Sequence, residues 1–260
     1  MNNEFNSETF EPYALVLAHG DDEIGALPIV LKSPPVLVLY LTNGSGISES
    51  DLSEKREREI KRSWGMLNSD VDVINFGRDS GLRDGALHSS LTISHLETLE
   101  KVLIDSGVKF IVTTHAEGGH QDHDTSFMVS QYLSLKLQIG LFSFPLYCQS
   151  SFSKKLFSVM GSYGSGKKSE IRDVRIRIRS FVMAIRLMFN YRSQWKTWIG
   201  LGLPLLITMT REYRFLEPSF ISLHNYPSAD VLFYQSRGRA DRVTVTNFWS
   251  KIGIIANKPF

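Results

Sequence analysis

The sequence has very little cysteine: its 260 residues include only Cys148. A lone cysteine excludes a disulfide within the chain and a zinc site built from several thiolates. Net charge is also small, because 29 Lys and Arg residues stand against 27 Asp and Glu residues. Such a balance identifies no partner by itself, and we predict no nucleic-acid partner. Function must therefore be inferred from local motifs.

Long hydrophobic runs are absent as well. No apolar segment reaches the roughly 18–20 residues that a membrane-spanning helix needs. The nearest candidate, residues 198–209, contains Pro204; we interpret it as a buried segment and keep peripheral membrane contact as the alternative. The polar N-terminus lacks the basic and apolar regions of a secretory signal, which favours the cytoplasm. The sequence indicates no particular oligomeric state.

The first half of the chain alternates strand-like and helix-like segments. Short apolar runs predict buried strands at residues 13–18, 36–42, 71–76 and 110–114. Helices are predicted at 53–67, where Ile60, Trp64 and Leu67 share one face, and at 91–103 and 126–137. This alternation is typical of an α/β fold with a Rossmann-like, mostly parallel sheet flanked by helices.

The second half is less regular. We predict one domain over 1–260, with its core at 1–150 and a small C-terminal lobe at 170–260. Within the lobe, residues 172–180 are predicted as a strand, followed by a helix at 181–191 and a late strand at 229–234. The strand's basic face, formed by Arg175, Arg177 and Arg179, is either a solvated surface or a contact for an anionic substrate group.

Residues 150–169 are rich in Ser, Gly and Lys and are interpreted as a loop. Residues 161–167 within it come close to a nucleotide-binding P-loop. The match fails because Lys168 replaces the required Ser or Thr, so we predict no nucleotide site there.

Two polar clusters lie just after the first and fourth predicted strands. Their members are His19, Asp21 and Asp22 after the first strand, and His120, Asp122 and His123 after the fourth. In a doubly wound sheet with strand order 3-2-1-4, these strands are neighbours and ligands bind beyond their carboxyl ends. Either cluster alone is more typical of an ordinary polar loop, but the pair at neighbouring strands favours a shared site.

Histidine and carboxylate ligands are typical of zinc sites in which three protein groups leave a fourth position for water. We assign His19, Asp22 and His123 as the ligands of one zinc ion, with another divalent metal as the alternative. Such a site supports metal-assisted hydrolysis.

The other three residues of the clusters are then available for catalysis. Asp21 is predicted to act as the general base. His120 is predicted to stabilise an oxyanion or to donate a proton. Asp122 is predicted to hydrogen-bond an imidazole and fix its tautomer.

These motifs carry a family resemblance. AHGDDEIG (18–25) resembles the AHPDDE signature of the LmbE-like (PIG-L) zinc-dependent N-acetylglucosaminyl deacetylases, and HQDH (120–123) resembles their second motif. Weaker matches lie at RERE (56–59), RDSG (78–81) and YRSQ (191–194). Gly20 stands where the family usually carries proline.

The resemblance implies an LmbE-type fold and removal of the N-acetyl group from a GlcNAc-type amino sugar or its conjugate. The residues it implies are His19, Asp22 and His123 for zinc, Asp21 as base, His120 at the oxyanion or leaving group, and Arg56 and Asp79 at the sugar pocket. Two alternatives stay open: hydrolysis of another amide or carbamoyl substrate, and a catalytically silent sugar- or nucleotide-binding module.

Overall fold

The structure is a computed structural model that describes residues 12–45, 50–67, 70–150, 153–159, 171–174, 178–208, 213–216 and 232–256. The P-loop-like segment 161–167 and two residues of the predicted basic face, Arg175 and Arg177, lie outside these ranges. Within them, no helix is both long and apolar enough to cross a bilayer.

The main sheet begins with five parallel strands in the order β3-β2-β1-β4-β5. Their bounds are Tyr13–Leu17 (β1), Leu37–Tyr40 (β2), Asp72–Ile74 (β3), Phe110–Thr114 (β4) and Gly140–Phe144 (β5). Every residue of β1 and β2 is buried, as continuous apolar runs in a sheet covered on both faces require. The predicted α/β class and the adjacency of the first and fourth strands are confirmed.

Helices connect these strands and cover both faces of the sheet. They are Glu23–Val30 (α1), Ser50–Leu67 (α2), Phe76–Asp79 (α3), Leu87–Ser90 (α4), Ile93–Asp105 (α5) and Gln121–Leu137 (α6). The face of α2 that carries Ile60, Trp64 and Leu67 is buried, as its spacing predicts. Alternate residues of β1 contribute to two core clusters, because successive side chains of a strand point to opposite faces.

The helix α6 begins five residues before the predicted start at Ser126. His120 is its N-cap, and the His120 Nδ1 accepts a hydrogen bond from the Asp122 N–H at 3.2 Å. A side-chain acceptor at this position satisfies one of the free amides of the first turn. The second polar cluster is therefore the N-terminus of a helix and not a loop that precedes one.

The C-terminal half adds strands and helices to the same sheet and core. These elements are β6 (Tyr147–Ser150), β7 (Ser153–Val159), β8 (Ile171–Val174), α7 (Ile178–Asn190), a 3₁₀ turn (Arg192–Gln194), α8 (Trp195–Thr208), β9 (Tyr213–Leu216), α9 (Phe233–Ser236) and α10 (Arg242–Ala256). The strands β9 and β8 extend the sheet beyond β5 in antiparallel fashion, and β6 pairs with β7. The helix α7 packs on α1, and α10 packs on α6.

Three predictions for this half are wrong in whole or in part. The segment 150–169 contains the strand β7, so it is not simply a loop. The strand predicted at 172–180 is confirmed at 172–174, which lie in β8, but Arg179 lies in α7, whose buried Met183 and Leu187 follow helical spacing. The strand predicted at 229–234 fails where it is described, because Phe233 begins the short helix α9.

The apolar segment 198–209 lies largely in α8 and is only half buried. Leu205 is buried, whereas Ile199 and Leu203 are exposed. The interpretation of this segment as buried therefore holds for one face of the helix only. Helical periodicity splits its apolar residues between an inner and an outer face.

Candidate active site

The two polar clusters meet beyond the carboxyl ends of β1 and β4, which pair in parallel. The first lies in the turn between β1 and α1, and the second at the start of α6. All six side chains of the clusters are buried or nearly so. The predicted meeting of the clusters in one crevice is thus what the structure shows.

The turn between β1 and α1 folds back on itself. Asp22 precedes the first residue of α1, and its Oδ2 accepts a hydrogen bond from the His19 backbone N–H at 2.8 Å. Asp21, inside this turn, has φ of 153°, a conformation that non-glycine residues adopt only under strain and that is concentrated at functional sites. The strained turn holds the two neighbouring carboxylates in a fixed arrangement.

Three side chains converge beside this turn. The His19 Nδ1 lies 3.3 Å from the His123 Nε2. The Asp22 Oδ1 lies 3.1 Å from the His123 Nε2, and the Asp22 Oδ2 lies 3.6 Å from the His19 Nδ1. Zinc bonds of about 2.0–2.1 Å in a tetrahedron separate neighbouring ligand atoms by about 3.3–3.4 Å. The donor atoms and their spacing therefore fit such an ion.

The opposite nitrogen of His19 faces two other carboxylates. The His19 Nε2 lies 3.1 Å from the Asp84 Oδ1 and 3.2 Å from the Asp122 Oδ2. Asp122 is itself held by the backbone N–H groups of Gly85 and Leu87, which donate to its two oxygens at 2.5 and 3.1 Å. A carboxylate on the far nitrogen is the usual partner of a metal-binding imidazole.

His120 lies beside these groups with its ring edge-on to His19, at 4.8 Å between centroids. Burial, together with the positive charge of His19, lowers the pKa of His120 to about 3, so its imidazole is neutral. Because its Nδ1 accepts from the Asp122 N–H, the proton of the neutral ring is on Nε2. His120 can therefore donate one hydrogen bond.

The two neighbouring carboxylates of the first cluster differ in acidity. Burial raises the pKa of Asp21 well above its usual range, and the charge of Asp22 raises it further. Burial would also raise the pKa of Asp22, but the charge and hydrogen bonds of His123 and His19 hold it far below its usual range. Environments that separate the pKa values of paired carboxylates are typical of sites that assign them different roles.

Two overlapping sets of these residues could hold a metal ion. One consists of His19, His120 and His123, and the other of His19, Asp84, His120 and Asp122; within each set the ligand atoms lie within 4.8 Å of one another. The predicted set of His19, Asp22 and His123 shares two histidines with the first. A metal site in this crevice is thus supported.

The clusters form the floor of a cavity of about 880 Å³. Its walls carry apolar and aromatic side chains, and its cationic lining residues are Lys196, Arg237 and Arg239. Trp198 lines the cavity and also packs against the core, whereas Trp195 is exposed. A cavity of this size and mixed lining suits a small molecule or one unit of a larger conjugate.

The two residues predicted at the sugar pocket do not line this cavity, and neither does His115. Asp79 is exposed in α3. Arg56 is buried beneath the turn after β1, where its Nη1 donates to the Gly20 carbonyl at 3.4 Å. His115, which follows β4, pairs with the Ser143 Oγ at 2.9 Å and packs on Phe127. The substrate-binding roles of Arg56 and Asp79 stay predictions.

Asp84 is the site residue that sequence reasoning missed. It lies in the loop after α3, five residues beyond Asp79, and lines the cavity. Burial would raise its pKa, but the charge of His19 and the hydrogen bond to it lower the pKa far below the usual range. The sequence shows that the loop after the third strand is acidic. The spacing of its acidic residues does not show which carboxylate reaches the site.

Glu23, the first residue of α1, has a structural role: it accepts hydrogen bonds inside the protein. Its carboxylate accepts hydrogen bonds from the hydroxyls of Tyr40, at 3.1 Å, and Tyr191. Trp64 in turn donates its Nε1–H to the Tyr40 hydroxyl at 2.9 Å. This buried network joins β2, α2 and the end of α7 directly beneath the first cluster.

The weak YRSQ match is held against α2. The Glu59 Oε1 accepts from the Ser193 N–H at 3.0 Å, and its Oε2 accepts from the Ser193 Oγ–H at 2.5 Å. The next residue, Gln194, lines the cavity, as does Lys196. Glu59 of the RERE match thus fixes the point where α8 enters the cavity wall.

Comparison with known proteins gives a family match and a fold match. Residues 14–132 match the family model PIG-L, described as GlcNAc-PI de-N-acetylase. Among curated proteins none matches the chain.

Solved structures share the fold at low sequence identity. The deacetylase triple mutant Orf2*T of the teicoplanin biosynthetic pathway has a TM-score of 0.58 at 12% identity, over 81% of this chain and 100% of that chain. The A40926 pseudoaglycone deacetylase Dbv21 has a TM-score of 0.54 at 12% identity, over 81% and 99%. The conserved protein TT1542 from Thermus thermophilus has a TM-score of 0.50 at 18% identity, over 81% and 95%. At these identities the likeness shows the fold alone.

Proposed function

We propose that the protein is a zinc-dependent hydrolase that removes the N-acetyl group from an amino sugar or its conjugate. The match of residues 14–132 to the family model PIG-L supports this proposal. The products are acetate and a free amine. The observation that carries the proposal is the convergence of two imidazole nitrogens and one carboxylate at 3.1–3.6 Å, next to a second carboxylate.

The proposed metal ligands are His19 through Nδ1, His123 through Nε2, and Asp22. Asp122 is a poorer ligand because its Oδ2 already has two partners, the Gly85 N–H and the His19 Nε2, and its Oδ1 accepts from the Leu87 N–H. His120 is unsuitable because its Nδ1 is used as the N-cap acceptor and its Nε2 then carries the proton. These two residues instead orient and complement the site.

Zinc bound at this position would lower the pKa of a water molecule toward about 7 and polarise the acetamide carbonyl. Asp21 accepts the proton of the attacking water, a role that its raised pKa favours. The His120 Nε2–H donates to the oxyanion of the tetrahedral intermediate. A proton then passes to the leaving nitrogen as the C–N bond breaks.

The position of His19 is maintained by residues on its other side. Asp122 accepts from the His19 Nε2–H and keeps the Nδ1 lone pair directed at the metal position. Because Asp122 also accepts from Gly85 and Leu87, it ties the imidazole to the loop that carries Asp84. Asp122 is thus proposed as a positioning residue for the ligand and not as a proton carrier.

The cavity supports a glycosyl conjugate better than a small free amide. Its volume of about 880 Å³ exceeds the need of an acetamide, and Trp198 and Tyr147 in its lining offer apolar surfaces for a sugar ring. The lining cations Lys196, Arg237 and Arg239 favour a substrate with an anionic substituent. For the whole chain, we propose a cytoplasmic enzyme of carbohydrate metabolism. It forms one domain, with a C-terminal lobe that completes the pocket.

The proposal is tested by acetate release from a panel of acylated compounds after zinc is restored to the purified protein. The panel contains an N-acetylglucosaminide, a nucleotide sugar, a lipid-linked N-acetylated sugar, an N-acetylated polysaccharide unit, and non-sugar amides. We expect acetate from at least one sugar and a loss of about 10²–10⁴-fold in kcat for Asp21→Asn and His120→Gln. Activity confined to the non-sugar amides, or wild-type rates in both variants, would refute the proposed substrate class or the proposed roles.

A further inference from the structure

Two adjacent helices expose large apolar side chains to solvent. On α8, Ile199 is 73% and Leu203 is 67% exposed, and on α7, Phe189 is 78% exposed. Single exposed apolar residues are ordinary, but a contiguous group of them marks a contact surface. The arrangement and charge of the neighbouring side chains indicate which kind of partner these helices contact.

The exposed residues of α8 recur at every fourth position. They are Trp195, Ile199, Leu203 and Ile207, and residues four apart lie on one face of a helix. The inner face carries the buried Gly202, where a Cβ would lie 3.7 Å from the Met188 Sδ of α7. The outer row therefore lies on the solvent side of α8, next to the contact between α8 and α7.

The helix α7, like α8, has one buried face and one exposed apolar face. Its inner face buries Met183, Ala184 and Leu187, while Ile178 and Val182 are exposed along with Phe189. The two helices pack against each other, so their outer rows are neighbours. We call the exposed surface of α7 and α8 the α7–α8 face.

The charges of this face have one sign. Its exposed basic residues are Arg179, Arg186 and Lys196, and Arg192 is exposed in the turn between the two helices. The sequence has no Asp or Glu between Asp173 and Glu212. Helices that combine exposed Trp, Phe and Leu with Lys and Arg, without acidic residues, are typical of segments that lie in the interface of an anionic bilayer. A second copy of this chain would oppose the same positive charges to themselves, which disfavours self-association through the face.

We propose that the α7–α8 face docks on the surface of an anionic lipid bilayer. The apolar row inserts between headgroups, and the flanking cations contact lipid phosphates. The inner side of α8 contributes Thr197, Trp198 and Leu201 to the cavity lining, so docking holds the cavity next to the membrane surface. The proposal does not depend on the deacetylase reaction.

The test is co-sedimentation of the full chain with phosphatidylcholine vesicles that contain either no anionic lipid or about one-third phosphatidylglycerol. We expect at least about tenfold stronger partitioning onto the anionic vesicles, weakened by salt. The double variant Ile199→Ser/Leu203→Ser should reduce partitioning about tenfold or more, because it removes inserted apolar surface without changing charge. Its circular dichroism and its hydrolysis of a water-soluble substrate should stay those of wild type.

Matched variants elsewhere on the surface test whether vesicle binding depends on the α7–α8 face or on general properties of the protein surface. Ile93→Ser/Ile104→Ser alters two residues of α5 that are each 58% exposed, and it should bind vesicles as wild type does. Arg179→Gln/Arg186→Gln should weaken binding and flatten its salt dependence. Lys55→Gln/Arg62→Gln, which removes two exposed charges from α2, should have the smaller effect.

Three results would overturn the proposal. The wild type could stay in the supernatant with anionic vesicles, or the Ile199→Ser/Leu203→Ser variant could bind as strongly as wild type. Sedimentation velocity could also show a dimer that this variant converts to monomer, which would make the face a protein interface. Each result is obtained without measuring deacetylation, so failure here is distinguishable from failure of the proposed reaction.

Discussion

At the residue scale, the candidate site is organised around the two nitrogens of one imidazole. The His19 Nδ1 faces Asp22 and His123, whereas its Nε2 faces Asp84 and Asp122. Both sides offer carboxylate and imidazole atoms, so composition alone does not decide which side binds the metal. The backbone hydrogen bonds to Asp122 favour the Nδ1 side.

This choice predicts different effects for two conservative substitutions. Asp22→Asn should weaken zinc binding by more than about 100-fold, because it replaces a charged ligand with a neutral one. Asp84→Asn should weaken it by no more than about tenfold, because Asp84 acts through the far nitrogen of His19. Competition with a chromophoric chelator measures both affinities, and a larger loss in Asp84→Asn would place the metal on the Nε2 side.

Gly20 has a packing reason to be glycine in this chain. A Cβ at this position would lie 2.5 Å from the Cδ1 and Cγ1 of Ile60, so a side chain there forces Ile60 of α2 to move. Gly20→Ala should therefore lower the free energy of unfolding by about 1–3 kcal/mol, the usual cost of overpacking.

Trimming the neighbour tests this explanation. In urea unfolding, Gly20→Ala should cost less stability in an Ile60→Ala background than in wild type, since the overlapping atoms are gone. Equal costs in the two backgrounds would show that packing against Ile60 is not the reason for glycine.

Glu117 predicts a pH dependence of stability. Burial raises its pKa to about 8 from 4.5. Between these values the folded chain keeps a proton that the unfolded chain releases, so the free energy of unfolding falls as pH rises from about 5 to 8. Glu117→Gln cannot ionise and keeps an oxygen that can accept from the Leu146 and Tyr147 N–H groups.

We therefore expect Glu117→Gln to lose less stability than wild type between pH 5 and pH 8 in urea unfolding. The exposed Glu97→Gln on α5 serves as the control and should follow the wild-type pH dependence. If Glu117→Gln and wild type lose the same amount, the carboxyl of Glu117 is already ionised across this range.

At the element scale, the boundaries of helices depend on side chains that the sequence pattern does not reveal. The start of α6 is set by His120 acting as its N-cap, although histidine is an uncommon residue at that position. The entry of α8 is set by Ser193 and Glu59, which are far apart in sequence. The sequence pattern predicted a helix within α6 but none at α8, and it could not reveal these tertiary contacts.

The contact between Glu59 and Ser193 should control the shape of the cavity wall. Glu59→Gln replaces charge-assisted hydrogen bonds with weaker neutral ones, at a cost of about 1–2 kcal/mol in stability. Because Gln194 and Lys196 follow directly in the chain and line the cavity, we expect KM to rise more than kcat falls.

A matched substitution on the same helix is Glu54→Gln, which removes an exposed partner of Arg58. It should leave KM and stability close to wild type, since exposed ion pairs contribute little. If Glu59→Gln behaves like Glu54→Gln, the contact with Ser193 does not position the wall.

At the scale of the whole molecule, the order of the first four strands could be predicted, whereas the C-terminal half could not. Continuous apolar runs such as Leu37–Tyr40 indicate strands of a parallel sheet that is covered by helices on both faces. Only a few topologies are allowed for such a sheet. The alternation of residues 172–180 favoured one long strand, but the helix α7, which buries Met183 and Leu187, begins at Ile178. Packing against the rest of the molecule decided between two patterns that overlap in sequence.

The candidate site, like the fold, could be predicted only in part. The six residues of the two clusters could be predicted, because they lie directly after strands whose order was predictable. Asp84 could not be, because it reaches His19 from a loop whose path depends on the hydrogen bonds of Gly85 and Leu87 to Asp122. A site residue delivered by a loop requires the fold before it can be identified.

The most direct test of the metal-dependent hydrolase is a zinc titration of the metal-stripped protein, with bound metal and acetate release measured in the same samples. We expect acetate release from an N-acetylated amino sugar to rise in proportion to bound zinc and to reach its maximum at one ion per chain. Asp21→Asn should bind the ion with similar affinity and release almost no acetate. Full activity in the metal-stripped protein, or release of acetate that does not follow bound metal, would refute metal-dependent hydrolysis.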